Sequence, residues 1–265
     1  MNIFTKNLFI LLVAVGFTAS VVNAADFYFA TDPSITDTTD GGNWYEQSGN
    51  QSGNTPGASD IVLMPAGKTI DITTAESYQH YRMGMMYNGS SNANPHGPEP
   101  TGQTNVTIKN GGSLSTTNNV FVGMTWNRDA GAADAKLTVE SGGSLNVSNQ
   151  LLLGNVYNQS NSTASTGELV VNGGTVAVSN LLIGHKNNQN SSGLSTGTLT
   201  VNSGTVTGTN AIVIAHADDS NGTFTINGGS TLSKGLTFGS KDTTSHSYTN
   251  QVVNFNLLGG EVEIT

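Results

Sequence analysis

A pattern of glycine turns and short aliphatic runs repeats through most of this chain, once every 25 to 31 residues. Glycine-containing turns recur at spacings of 31, 31, 30, 25 and 31 residues, at Gly112, Gly143, Gly174, Gly204, Gly229 and Gly260. A second mark, a small residue after an apolar triplet, recurs in step with them at Gly84, Gly123, Gly154, Gly184, Ala215 and Gly239. Because such a period is typical of stacked repeats, each interval is expected to form one structural unit.

Each unit contains three runs of three residues, and the first and third residues of a run are apolar. This alternation is typical of a strand with one buried face, and three residues are too few for a helix. Three such strands cannot bury their own apolar side chains, so equivalent runs must pair one period apart, in the same direction. The sequence therefore predicts an all-β fold, a parallel β-helix (solenoid) of about six coils with three short strands per coil and right-handed crossovers. The first runs lie at 106–108, 137–139, 169–171, 199–201 and 224–226, and the third at 120–122, 151–153, 181–183, 212–214 and 236–238.

The N-terminal residues have the features of an export signal. Lys6 precedes an apolar stretch over 8–17, and small residues stand at the cleavage positions 22–24. These features predict a signal peptide over residues 1–24 and therefore a secreted or cell-surface protein. The absence of cysteine fits a bacterial exported protein whose stability is independent of redox conditions.

The rest of the chain divides by its proline content. All six prolines lie at or before Pro100, and proline cannot donate to a strand ladder. We expect an N-terminal cap over 25–59, a first irregular coil with a long loop over 60–104, and regular solenoid repeats over 105–265. In the first coil, 61–63, 69–72 and 81–84 are assigned to the first, second and third strands. The chain stops inside a coil, so either it is truncated at the C-terminus or something else covers that edge.

Charge and hydropathy exclude some classes of function. The formal net charge of the 265 residues is −9, and only 10% of residues are charged, so nothing predicts nucleic-acid binding. After the signal peptide no apolar run reaches the roughly 20 residues of a transmembrane helix.

Two segments carry a family resemblance. Gly42, Asn43 and Trp44 with the segment 56–62 resemble the start of many bacterial secreted β-helical proteins. The unit 167–176, Gly-Glu-Leu-Val-Val-Asn-Gly-Gly-Thr-Val, is similar to the strand repeats of autotransporter passenger domains. The resemblance implies export and roles in surface display, adhesion or matrix formation, and it supplies no catalytic motif.

An aromatic edge is one candidate binding surface. Tyr87, Trp126 and Tyr157 stand three residues after the small mark and are followed by amides such as Asn127 and Asn158. Ring faces with neighbouring amides suit a sugar ring, so the edge is a candidate site for extracellular polysaccharide. The alternative is that the rings pack on one another and fix the loops.

An apolar stripe is the other candidate surface. The central residues of the third runs should point outward, and four consecutive ones are apolar: Phe121, Leu152, Leu182 and Val213. A contiguous apolar stripe of this kind is normally shielded from water by other protein residues. The cover is either another part of this chain or a partner protein, including a second copy.

Two further clusters bear on metal or catalytic chemistry. His185 and His216 occupy the same template position and should stack, but two imidazoles without a third ligand do not make a metal site. The segment 218–222 shares its start with a calcium loop and lacks the remaining carboxylates. Acidic residues are scattered along the coils, so no catalytic, cofactor or metal residue is assigned.

Asparagines at the turns have a structural interpretation. Their side-chain amides can hydrogen-bond along the solenoid axis. Two ladders are expected, one of Asn119, Asn149, Asn180 and Asn210, and another of Asn172, Asn202 and Asn227.

The sequence thus favours a secreted or surface-displayed structural or adhesive scaffold without catalytic activity. A carbohydrate-binding module that uses the aromatic edge is the second hypothesis. A fragment of a polysaccharide lyase or hydrolase is the third.

Overall fold

The computed structural model describes residues 26–30, 36–46, 52–85, 101–126, 132–157, 164–187, 193–217, 219–240 and 250–265. Over these residues the fold is all-β, as predicted, and its strands form one continuous curled sheet. The helical element described is a single 3-10 turn, Gly41–Asn43. The predicted signal peptide lies outside the described residues.

Eighteen strands of the described residues make up the sheet. Nine precede the long central strands: β1 (Asp26–Phe29), β2 (Trp44–Glu46), β3 (Ile61–Pro65), β4 (Thr69–Ile72), β5 (Ala75–Tyr78), β6 (His80–Met85), β7 (Thr104–Ile108), β8 (Ser113–Thr116) and β9 (Val120–Trp126). The others are β10 (Ala133–Glu140), β11 (Ser144–Tyr157), β12 (Ser165–Lys186), β13 (Ser195–His216), β14 (Ser220–Ile226), β15 (Ser230–Ser233), β16 (Leu236–Ser240), β17 (Val252–Leu257) and β18 (Glu261–Ile264).

Strands one period apart pair in parallel and build three columns. The first column contains β4, β7, β10, the opening parts of β12 and β13, β14 and β17. The second contains β5, β8, the opening part of β11, the middle parts of β12 and β13, β15 and β18. The third contains β1, β3, β6, β9, the closing parts of β11, β12 and β13, and β16. The predicted parallel pairing of equivalent runs is therefore confirmed.

Within residues 60–104, the predicted assignments of 61–63 and 69–72 are wrong by one column, whereas 81–84 lies in the third column as predicted, because β6 pairs with β9. The strand β3 pairs with β6 and so belongs to the third column, whereas β4 pairs with β7 in the first. The second-column strand is β5, which the prediction missed. It was missed because Glu76 stands at the inward position that Leu114 and Leu145 occupy in the next layers.

The core lies between the columns and consists of the first and third residues of the runs. In the first column, Val106, Leu137, Leu169 and Leu199 are neighbours in the ladder and are fully buried. Burial of such aliphatic side chains contributes roughly 1.5 to 3 kcal/mol each. Because every layer adds to the same column, each layer is stabilised mainly by its two neighbours.

The two predicted asparagine ladders have different outcomes. Asn202 Nδ2 donates to Asn172 Oδ1 at 2.8 Å, and Asn227 Nδ2 donates to Asn202 Oδ1 at 2.7 Å, which confirms the second ladder. The first ladder is wrong in its partners. Asn149 Nδ2 donates to Asn118 Oδ1, and Asn210 Nδ2 donates to Ser179 Oγ. The pairing of β8 and β9 with β11 keeps the same spacing on both sides of this turn, so Asn149 meets Asn118 and not Asn119. Between β12 and β13 the turn shifts register by one residue, so Asn210 meets Ser179.

A glycine ends the third run in successive layers and turns the strand outward. Gly154 has φ +64°, a left-handed conformation that disfavours residues with a Cβ. A Cβ there would lie 2.1 Å from the carbonyl oxygen of Thr196. From the other side, a Cβ on Gly197 would lie 2.1 Å from the amide nitrogen of Gly184. The end of the third column and the start of the first column therefore touch backbone to backbone. We call this position, with Gly123, Gly154, Gly184 and Ala215, the corner.

A buried carboxyl group joins the N-terminal segment to the columns. Thr38 Oγ1 donates to Glu76 Oε1 at 2.5 Å, and Tyr78 hydroxyl donates to Glu76 Oε2 at 2.9 Å. The indole of the fully buried Trp44 donates to the Thr38 carbonyl oxygen at 2.9 Å. Burial raises the pKa of Glu76, although the two hydroxyl donors oppose that shift. The carboxyl group of Glu76 thus links Thr38 of the N-terminal segment to Tyr78 on β5.

Replacement of Glu76 by glutamine should remove one component of the pH dependence of stability. Because the folded pKa lies above the unfolded value of 4.5, this group stabilises the fold below the unfolded pKa. The contribution is lost as pH rises through the folded pKa. Urea denaturation at several pH values measures the difference in unfolding free energy between E76Q and wild type. This difference should therefore change between the unfolded pKa and the folded pKa of Glu76. The exposed Glu263 is the control, changed to glutamine in the same way, and a flat E76Q difference would contradict the assignment.

Candidate functional site

The apolar stripe predicted on the third column forms a second hydrophobic cluster. Phe121, Leu152, Leu182 and Val213 are direct neighbours in the ladder. The first three are only 6%, 2% and 6% exposed, and Val213 is partly buried. Leu63 and Met124 belong to the same cluster, and Tyr28 and Ile61 pack against it. The row is covered within this chain, so it presents little apolar surface to a partner.

Substitution of Leu152 tests this placement. Leu152→Ala should lower the unfolding free energy by about 2 to 5 kcal/mol, as for other buried leucines. Leu152→Asp should cost more, because a carboxylate without a partner would be buried. Thermal melting and sedimentation velocity measure stability and assembly state separately. An unchanged melting temperature with an altered sedimentation coefficient would instead place Leu152 at an interface between molecules.

Beyond the corner, the strand continues for a few residues and forms what we call the corner extension. It comprises residues 124–126, 155–157 and 185–186 together with His216. Met124, Asn155, His185 and His216 are successive ladder partners, so four different side chains form one row. The predicted stacking of the two histidines is confirmed, because their ring centroids lie 4.8 Å apart with 25° between the ring planes.

Three of the four side chains in this row are polar, and all are buried except His216, which is partly buried. His185 Nδ1 lies 2.9 Å from Asn155 Oδ1. Asn155 is fully buried, and its Nδ2 has no hydrogen-bond partner among the described residues. Burial, with the neighbouring His216 as a smaller cause, lowers the pKa of His185 to about 3. The imidazole is therefore neutral at ordinary pH.

The geometry of the stacked rings does not suit a shared metal ion. A ligating imidazole nitrogen directs its lone pair in the plane of its own ring. Two nearly parallel rings 4.8 Å apart cannot both point at one ion between them. Among the described residues, no group of three or more His, Cys, Asp or Glu side chains is placed to hold a metal.

An ion pair and a strained turn lie next to this row. Lys186 is 4% exposed, and its Nζ donates to Asp219 Oδ2 at 2.9 Å. The hydrogen bonds from Lys186 and Asn250 lower the pKa of Asp219, which is therefore ionised at neutral pH. Ala215, Ala217 and Asp219 all have positive φ, between 51° and 73°. Each such non-glycine residue costs about 1 to 2 kcal/mol, so the ion pair holds a strained connection.

The aromatic edge is described only in part. Trp126 and Tyr157 are direct ladder partners at the end of the corner extension, so their backbones lie in adjacent strands, about 4.8 Å apart. Tyr87, Asn127 and Asn158 lie outside the described residues, as does Asp218 of the segment compared with a calcium loop. The register thus brings two of the predicted aromatic residues together.

Sequence reasoning missed several side chains near this column. Asn155 and Lys186 follow corner glycines by one and two residues, and both are buried. His80 and Arg82 lie on β6, where Arg82 Cζ is 5.8 Å from the centroid of the Phe121 ring. Alignment of the columns could have found them, because all four residues lie in a third run or next to one.

Comparison of the chain with protein-family models, with curated proteins and with solved structures returns no match. Among the described residues, no helix has the length and apolar character needed to cross a membrane. Function is therefore inferred from the side chains and their register.

Proposed function

We propose that this chain is a right-handed parallel β-helix of about six coils that is exported and acts as a structural or adhesive scaffold outside the cell. The observation that carries the proposal is the parallel pairing of equivalent strands in three columns, which continues from layer to layer through the register shifts at the turns. Equivalent residues meet from layer to layer, as in the ladder Leu137, Leu169, Leu199, Phe224 and Phe255 of the first column.

Because equivalent residues meet from layer to layer, the outer face of a column presents similar side chains in successive layers. On the first column the outward positions include Thr107, Thr138, Thr200 and Thr225, with Asn256 donating to Thr225 Oγ1. Lys136 pairs with Glu168 at 3.1 Å across adjacent layers of the same face. A rod whose faces are rich in hydroxyl groups and carry few charges presents many similar weak contacts, and multiple weak contacts give strong attachment through multivalency.

The scaffold proposal is tested by export and shape together. The full chain, expressed in a Gram-negative bacterium, should be exported, and mass spectrometry of the mature protein should place its N-terminus near Ala25. Small-angle X-ray scattering of that protein should give an elongated particle. Retention of the unprocessed chain inside the cell, or a compact particle, would contradict the proposal. A variant with Leu12 changed to Arg, which interrupts the apolar stretch 8–17, is the control for export.

A second function, carbohydrate binding at the aromatic edge, is favoured by the pairing of Trp126 with Tyr157. Rings that emerge from adjacent parallel strands can form a stepped platform for sugar rings. Glycan-array binding by wild type and its loss in Trp126→Ala would support this function. Tyr45→Ala is the matched control, because it removes an aromatic side chain on β2, which is not part of the aromatic edge. Equal binding by W126A and wild type would rule the platform out.

A further inference from the structure

Some asparagines of this chain are followed directly by glycine, a pair that is open to chemical modification. Among the described residues these are Asn110, Asn172, Asn221 and Asn227. Asparagine is one of the thermolabile residues of proteins, because it can lose its side-chain amide without an enzyme. A following glycine favours the reaction, since it has no Cβ to hinder the approach of its own backbone nitrogen. The structure places the four pairs in different surroundings, so their reactivities should differ.

Two of the four pairs lie inside strands. Asn172 is part of β12, which pairs with β10 on one side and with β13 on the other. Asn221 is part of β14, which pairs with β13 and β17. The reaction needs the asparagine side chain to close a ring on the next backbone nitrogen, and this requires rotation of the backbone. Rotation would open ladders on both sides, so these two pairs are protected.

The pair at Asn110 lies in a turn and is held by the layer that follows. The Gly111 amide donates to the Gly142 carbonyl oxygen at 3.1 Å. A Cβ on Gly142 would overlap Asn110 Oδ1, so the asparagine side chain packs directly on the next turn. Both the nucleophile and the group that it would attack are therefore restrained.

The pair at Asn227 is held more loosely. It lies in the bend between β14 and β15, and Asn227 is exposed. The Gly228 amide is 3.3 Å from the Val201 carbonyl oxygen, a long hydrogen bond. The same oxygen accepts from the Asn227 amide at 2.8 Å. The Asn227 side chain donates to Asn202 Oδ1, but an exposed hydrogen bond of this kind contributes little net stability and can open.

We propose that Asn227 is a site of spontaneous deamidation. The Gly228 amide nitrogen gives up its proton to the solvent and attacks Asn227 Cγ. The new N–C bond closes a succinimide ring, and the side-chain nitrogen leaves as ammonia. Water then opens the ring. Aspartate forms when the bond from nitrogen to Cγ breaks, and isoaspartate forms when the bond from nitrogen to the main-chain carbonyl carbon breaks.

Both products disturb the contact between layers. Aspartate has lost the donor to Asn202 and places carboxylate oxygens against Asn202 Oδ1. Isoaspartate also lengthens the main chain by one methylene group. A Cβ on Gly259 would overlap the Asn227 carbonyl oxygen, and a Cβ on Gly229 would overlap the Gly204 carbonyl oxygen. The turns of these layers therefore touch backbone to backbone, and the extra methylene should loosen the layer that contains β17 and β18.

Peptide mapping by mass spectrometry tests the site in the folded full-length protein, incubated at pH 8.5 and 37 °C. Deamidation raises the peptide mass by one dalton, and electron-transfer fragmentation distinguishes isoaspartate from aspartate. Asn227 should react at least about tenfold faster than Asn172 and Asn221, because ring closure in a strand must first break ladder hydrogen bonds. Asn110 should also react more slowly than Asn227. In guanidinium chloride the four rates should become similar.

Variants separate the reaction from its effect on stability. Asn227→Gln retains an amide but would need a larger ring, so no modification should appear at this position. Asn227→Asp reproduces one product and should lower the melting temperature by about 2 to 4 °C. Asn172→Asp is the matched control, because it adds the same charge in the same ladder while leaving an acceptor for the Asn202 amide. Its melting temperature should change less.

Two outcomes would overturn the proposal. They are equal rates at the four asparagines in the folded protein, and a slower reaction at Asn227 than at Asn172. An unchanged melting temperature in protein modified at Asn227 would overturn the effect on the layers. The reaction does not depend on the scaffold role, so failure of either proposal leaves the other standing.

Discussion

Replacement of Gly154 by alanine should destabilise the protein by more than about 4 kcal/mol, a loss large enough to lower the melting temperature by roughly 10 °C or more. Two effects add at this corner. Left-handed backbone, with φ +64° at Gly154, costs about 1 to 2 kcal/mol for a residue that carries a Cβ. The new Cβ would also lie 2.1 Å from the Thr196 carbonyl oxygen, so the contact between the first and third columns would have to open.

Two other glycines separate these effects. Gly111 has φ +80°, and nothing lies within 4 Å of the point that a Cβ would occupy there, so Gly111→Ala tests the backbone effect alone. Gly167 has no positive φ, and a Cβ there would lie 2.0 Å from the Val122 carbonyl oxygen, so Gly167→Ala tests the steric effect alone. Thermal and urea denaturation should rank the losses as Gly154 over Gly167 over Gly111. Equal losses for Gly154→Ala and Gly111→Ala would show that the columns do not touch at the corner.

Acidification should destabilise the protein through His185. Its pKa is about 3 in the folded chain and 6.5 in the unfolded one, so only the unfolded chain binds the proton between these values. Unfolding free energy should therefore fall as pH drops from 6.5 towards 3, by up to about 1.4 kcal/mol for each pH unit. This dependence is opposite in sign to that of Glu76, whose raised pKa favours the fold at low pH.

His185→Gln should remove this acid sensitivity while keeping a side chain that can hydrogen-bond to Asn155. Urea denaturation of wild type and variant between pH 4 and pH 7 gives the difference directly. The half-buried His80 has a pKa lowered to about 4, so His80→Gln serves as a comparison with an effect of the same sign and smaller size. An NMR titration provides a second measurement. A His185 ring signal that titrates near pH 6.5 would contradict its burial in the row.

The periodic part of the fold could be predicted because its causes are local in sequence. Glycine at the corner and alternating aliphatic residues, such as Leu169 and Val171, fix the turns and the inward faces of each layer. The first layer could not be predicted, because Glu76 replaces an aliphatic residue and is satisfied by Thr38, 38 residues away. A contact between residues so far apart in the chain produces no periodic pattern in the sequence.

The location of the candidate surfaces could be predicted from the sequence, but whether they are exposed to solvent could not. The sequence places Phe121 and Leu152 on an outward row, and they are ladder neighbours there. They are buried in one cluster with Leu63, which lies two ladder steps away in the same row, and with Met124 of the corner extension. An alternating pattern indicates which face a side chain is on and contains no information about what folds over that face. The buried Asn155 and Lys186 were missed for the same reason.

The strained turn at Ala215, Ala217 and Asp219 has a mechanical consequence. It joins the layers that contain β13 and β14 through three left-handed residues and the ion pair of Asp219 with Lys186. The layers that it joins are also held by three ladders, because β13 pairs with β14, β15 and β16. Under a pulling force we therefore expect the strained turn to change conformation before these ladders separate.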